Sequence, residues 1–267
     1  MSGLRVWVEG IGLLGPGLDS WAASLGVLRG QQAYRAAPTV LPAPVRLPPA
    51  ERRRAGAAVK LALAVADAAV AQAQADPGTL ATVFSSSSGE GVNCHALCET
   101  LTTAAPMVSP TRFTNSVHNA ASGAWHIAVG SRAASTSLCA FDGSFGAGLI
   151  EAATSVALGR APMLLVASDS PYPEPLNAVR PLPDHFGLAL LLAPAESPRS
   201  VAALTITLAG AGQAAPSRCD DAALDALRRA IPAAAALPLL SALAAPEAGQ
   251  RIVLEYLAAT RLQIELR

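Results

Sequence analysis

STSLCAFDGSFGAG, residues 135–148, reads as a strand that runs into a tight bend and then into a helix. Ser137 and Leu138 extend, Asp142 stands at the bend, and Gly143, Gly146 and Gly148 keep the start of the helix free of bulk. A nucleophile at such a bend is exposed at the end of a sheet and lies in the field of a helix N-terminus. Here the bend holds a carboxylate, and Cys139 comes three residues too early.

Outward from this stretch, strands and helices alternate. LRVWVEGIGLL (4–14), LATVF (80–84), APMLLVASDS (161–170), FGLALLLAP (186–194) and VAALTITLAG (201–210) read as strands, several of them apolar on both faces. Between them, DSWAASLGVLRG (19–30) has Asp19 or Ser20 as N-cap and Gly30 as a stop, and residues 35–49 form a proline-rich extended loop. Residues 50–75 read as one long alanine-rich helix, CHALCETLTTA as a short one, and GLIEAATSVALG (148–159) as a helix closed by Gly159. DDAALDALRRAI (220–231) is a helix capped by its aspartates, and 249–267 reads as a short helix and a last strand. The pattern predicts a layered α/β fold with a buried mixed sheet.

Composition excludes several classes. Lys+Arg and Asp+Glu both total 19, so no basic surplus points to nucleic acid or an anionic membrane. No charge-free apolar run is long enough to span a bilayer, and MSGLRVWVEG lacks the basic start and apolar run of a signal peptide. The expectation is a cytoplasmic protein with four reduced cysteines. Cys94, His95 and Cys98 share one helical face, but no second ligand pair follows; buried structural cysteines, no metal and no cofactor are expected.

Other motifs have ordinary explanations. GIGLLG (10–15) matches a dinucleotide fingerprint, yet Pro16 and Gly17 interrupt the expected helix and no acidic residue follows at the right distance. Ser144 lacks the flanking glycine of a hydrolase elbow, though a Ser144–His118–Asp arrangement stays open. His118 and His126, eight residues apart, are placed about two helical turns apart on one face. Arg52, Arg53 and Arg54 read as a solvated helix start, with docking of an acidic partner as the functional alternative.

Taken in order, these segments resemble the amino-terminal half of a β-ketoacyl synthase of the thiolase-like fold. VWVEGIGLLGPGLDSWAASLGVLRGQ (6–31) is similar to that family's opening segment, and VFSSSSGEG (83–91) to its third-strand region. SPTRFTNSVHNAASGAWHIAVG (109–130) resembles its S-P-x-x-F…N-x-A-A-G helix, and 135–170 falls on its nucleophile segment. Residues 1–195 thus correspond to the synthase-like N-terminal domain, and 196–267 to a strongly reduced second half that completes the same domain.

The resemblance puts Asp142 where the family has its cysteine, so the nucleophile position is vestigial. The family's two carboxy-terminal histidine segments have no counterpart after residue 195. This state resembles chain-length factors, more narrowly the small ketosynthase-like proteins of aryl-polyene and xanthomonadin-type pigment clusters. That implies a non-catalytic subunit that pairs with an active ketosynthase, works with acyl carrier protein and shapes the acyl tunnel. The pairing strand is then Ala134, Ser135, Thr136, Ser137, Leu138 and Cys139, and the tunnel wall includes Phe113, His118 and Phe141. Arg52–Arg54 would dock the carrier protein. Two alternatives stand beside this reading: a homodimeric binder of acyl chains or carrier protein, and a stand-alone acyltransferase or hydrolase using Asp142, Ser144 or Cys139.

Overall fold

The computed structural model describes residues 3–267. The chain opens with strand β1 (Leu4–Leu14) and helices α1 (Trp21–Leu28), α2 (Pro49–Arg54) and α3 (Ala57–Ala73). Strand β2 (Ala81–Ser85) comes next, then α4 (Gly91–Leu101), α5 (Pro110–Thr114), α6 (Ala120–Val129) and β3 (Ser135–Leu138). A 3-10 turn, Phe141–Gly143, leads into α7 (Ser144–Gly159). Then come β4 (Met163–Asp169), α8 (Leu176–Val179), β5 (Phe186–Ala193), β6 (Ala202–Gly210) and α9 (Ala222–Ala230). A second 3-10 turn, Pro232–Ala236, α10 (Leu237–Ala244) and the hairpin β7 (Arg251–Leu257) and β8 (Thr260–Leu266) complete the chain.

The strands form one eight-stranded mixed sheet in the order β3-β2-β4-β5-β1-β6-β8-β7. β2 pairs in parallel with β3 and β4, and the remaining pairings are antiparallel. β5, with no polar residue, is buried along its whole length. One face of the sheet is covered by α3 and α6, with Leu61, Val65 and Trp125 in the core. The other is covered by α7, α9 and α10, around Phe145, Leu149, Leu240 and Leu262.

Small residues on both partners let α3 lie close to β1. A side chain at Gly12 would come 1.9 Å from the Val65 carbonyl, and one at Gly10 2.1 Å from that of Ala69. The glycines of the apparent dinucleotide fingerprint therefore serve helix–strand packing. Gly15 bridges to Leu18 in the turn after β1.

Several expectations need correction. The long helix over residues 50–75 is two helices, broken at Ala55 and Gly56. The buried Glu90 carboxylate lies against Gly56, where a side chain would come within 2.5 Å of it. It faces the Val59 amide in the first turn of α3, where Gly56 supplies no side-chain cap. The expected helix near residue 250 is the strand β7: Ile252, Val253 and Leu254 are buried between exposed Arg251 and Glu255, and pairing with β8 overrides helix-forming composition. α7 ends at Gly159, but the left-handed residue that stops it is Arg160, with φ 52°. Cys94 and Cys98 are exposed on α4 rather than buried.

Candidate functional site

The bend at the head of α7 is built from close contacts. A side chain at Gly143 would come 2.4 Å from the Tyr256 carbonyl of β7, and one at Gly148 would meet Ser85 of β2. These glycines let the bend and the first turns of α7 nest against the sheet. The Ser144 hydroxyl donates to the Phe141 carbonyl at 2.7 Å and accepts from the Ala140 amide at 3.0 Å. It is a buried brace of the bend, which disposes of the Ser144–His118–Asp arrangement.

Asp142 points outward, its side chain 67% exposed, and pairs with Arg180 through an Nη2–Oδ1 contact of 2.7 Å. The same Nη2 donates to Ser87 Oγ at 2.8 Å. The guanidinium carbon also lies 3.7 Å from the centroid of the Phe141 ring. Despite partial burial, the hydrogen bonds to Tyr172 and Asp142 raise the Arg180 pKa. A cation is thus held permanently over the bend.

The loop after β2 is fixed from below by Asp169, the last residue of β4. Its Oδ1 accepts from the amides of Ser87 at 2.7 Å and Ser88 at 2.9 Å and from Ser86 Oγ at 3.2 Å. Its Oδ2 accepts from the Ala233 amide at 2.9 Å, tying in the second 3-10 turn. Burial pushes the Asp169 carboxyl up, opposed by these hydrogen bonds.

None of the four histidines lies at Asp142. His118 Nε2 donates to the Ser86 carbonyl at 3.0 Å, and His126 Nε2 meets Thr82 Oγ1 at 3.2 Å. His185 Nδ1 lies 3.0 Å from Ser170 Oγ, and His95 pairs with Glu99. His118 precedes α6 in a turn, so it and His126 do not share a helical face, contrary to expectation. Among the described residues, no three His, Cys, Asp or Glu side chains come together to hold a metal ion.

β3 lies at one edge of the sheet and is shorter than the expected strand, since Ala134 and Cys139 fall outside it. The Ala134 and Leu138 carbonyls accept from β2 and its loop. By the two-residue alternation, the backbone groups of Ser135 and Ser137 then point away from the sheet. By the loop after β2 and His118, α4 and the α5 that follows it contain no buried residue, and Val92, Leu101, Met107 and Phe113 are exposed. His118, the Ser86–Ser88 loop, Arg180 and Asp142 form one connected group next to β3. Arg52–Arg54 are not part of it: Arg52 donates to the Val45 and Leu47 carbonyls, Arg54 pairs with Glu51, and Arg53 is exposed.

Arg180 and Asp169, which organise the bend, were not singled out from sequence. Asp169 left a signal, an acidic residue at the end of an apolar strand run; Arg180, in a proline-rich loop, left none.

A bend of this kind, between an edge strand and a helix on a mixed sheet, invites comparison with known proteins. The profile described as β-ketoacyl synthase, N-terminal domain, matches residues 28–244. The chain belongs to this family. The synthase fold is also seen in solved structures. One is a chain from the complex of a ketosynthase (ApeO) with its chain length factor (ApeC) from Xenorhabdus doucetiae, with TM-score 0.72 and 22% identity over 98% of this chain and 99% of that one. Another is a chain of the ishigamide ketosynthase/chain length factor, with TM-score 0.69 and 17% identity over 99% of both chains. A third comes from AntDE:AntF, a type II polyketide synthase acyl-carrier protein in complex with its ketosynthase, with TM-score 0.70 and 13% identity over 100% and 99%. At these identities they share the thiolase-like fold of the β-ketoacyl synthases. No curated protein sequence matches this one. Among the described residues, no helix is long and apolar enough to cross a membrane.

Proposed function

We propose that this chain is a non-catalytic, ketosynthase-like subunit of the chain-length-factor type. It pairs with an active β-ketoacyl synthase in polyene or fatty-acid-like biosynthesis and helps to wall the acyl tunnel. The observation that carries this is Asp142, bound by Arg180 at the head of α7, immediately after an open edge strand that bears no charge. A carboxylate in an ion pair cannot form the stable thioester that a thiolate at a helix N-terminus forms. In this reading residues 1–195 keep the synthase-like half and 196–267 are the remnant of the second.

The edge supports the pairing. β3 presents unpaired backbone groups with no lysine, proline or bulge to blunt them, the arrangement that accepts a further strand. The α4–α5 arm adds exposed apolar side chains, Val92, Leu101, Met107 and Phe113. Ala134–Cys139 is the pairing segment, with Phe113, His118 and Phe141 toward the partner's tunnel. Acyl carrier protein is the second partner; with Arg52 engaged internally, its contact at α2 falls mainly to Arg53. The aryl-polyene resemblance fits this role, and the cytoplasm is its expected site.

The test is co-expression with the ketosynthase that co-purifies with the chain from its native cell, followed by native mass spectrometry with acylated carrier protein. A one-to-one heterodimer acylated only on the ketosynthase is expected. An acyl adduct on Asp142, Ser144 or Cys139, or a lipid-loaded homodimer that ignores every ketosynthase, would overturn the proposal.

A further inference from the structure

Phe141 combines three features at the surface of the bend. Its φ is 51°, in the left-handed region where a bulky side chain is disfavoured. The residue is 63% exposed, so no core packing returns the strain. One ring face is covered by the guanidinium of Arg180. Backbone strain of this kind persists only where the surroundings impose it, and it gathers at functional positions.

Ser144 braces the Phe141 backbone through its carbonyl, and Arg180 fixes where the ring lies. The Arg180 side chain is only 21% exposed, and it is tied to the body of the protein by Ser87 Oγ, with Tyr172 Oη further away at 3.4 Å. Ser87 is itself fixed by its amide hydrogen bond to the buried Asp169. The planar guanidinium therefore has one side anchored to the interior and the other offered to an aromatic ring. Asp142, next in sequence to Phe141, neutralises its charge. A ring held this way is presented outward without a net charge beside it, three residues beyond the end of β3.

We infer that Phe141 is a preformed anchor for the partner subunit and that Arg180 is its positioning residue, holding the ring outward by stacking while paired with Asp142. This rests on the heterodimer reading above. The occupant is the active ketosynthase, with an apolar socket facing the segment that follows its paired strand. A rigid aromatic anchor is the kind of residue that dominates interface energies, and holding it in place beforehand removes an ordering cost on association.

The test uses the full chain with 4-fluorophenylalanine at position 141 and the co-purifying ketosynthase as binding probe. Arg180→Met, which keeps length but removes charge and plane, is expected to shift and broaden the fluorine resonance of the free chain. Arg180→Lys is expected to do so partly. Phe141→Ala and Arg180→Met should each weaken heterodimer affinity about tenfold or more. In the Phe141→Ala background, Arg180→Met should weaken it no further, because Arg180 acts through the ring. Additive losses, an unmoved fluorine line, or wild-type affinity in Phe141→Ala would overturn the inference. Failure of the wild-type chain to bind any ketosynthase would instead overturn the functional reading itself.

Discussion

Asp169 does for the bend region what a metal or disulfide does in other folds. A single buried carboxylate gathers three backbone amides and a hydroxyl from two segments distant in sequence. Asp169→Ala leaves the buried Ala233 amide and the half-buried donors of Ser86–Ser88 without their acceptor, and a loss of about 3 kcal/mol is expected in urea unfolding. His185 behaves differently. Burial pulls its pKa below the ordinary histidine value, with Asp184 opposing. Between the lowered folded pKa and the unfolded value of about 6.5, the unfolded chain then binds more protons than the folded one. Stability should therefore fall as the pH drops from neutrality through that value, and His185→Gln should flatten the slope in pH-resolved unfolding curves. Asp169 was legible only as an acid ending an apolar strand, and the surroundings of His185 not at all, because both roles depend on which distant groups pack around the side chain. The aspartate at the bend was legible, since strand, bend and glycine-relieved helix are adjacent in the chain.

At the level of elements, apolar strands could be read directly: β4 and β5 have no competing pattern. The helix α3 was legible in composition, but its reason lies in β1, whose Gly10 and Gly12 receive it. Gly12→Ala forces a methyl group against the Val65 carbonyl. The expected loss is about 3 kcal/mol, measured by thermal or urea unfolding, because a helix backbone and not a side-chain tip must move. The break before α3 was hidden, since the acid that lies against Gly56 comes from the loop after β2. β7 was hidden for another reason: Leu-Glu-Tyr-Leu-Ala-Ala favours a helix locally, and only pairing with β8 makes it a strand.

Across the whole molecule, the two edges of the sheet differ in kind. β7 is blunted by exposed Arg251 and Glu255 and by a register shift between Glu255 and Leu257. β3 is short, uncharged and open. In the proposed pairing, β3 is the edge that receives another chain, next to a bend where Asp142 is held by Arg180. The most direct measurement is amide hydrogen exchange over residues 134–139, in the isolated chain and in its complex with the co-purifying ketosynthase. The Ser135 and Ser137 amides are expected to exchange quickly alone and slowly in the complex, while β7 stays unchanged. Fast exchange at both serines within a stable complex, or protection that appears at β7 instead, would contradict pairing through β3.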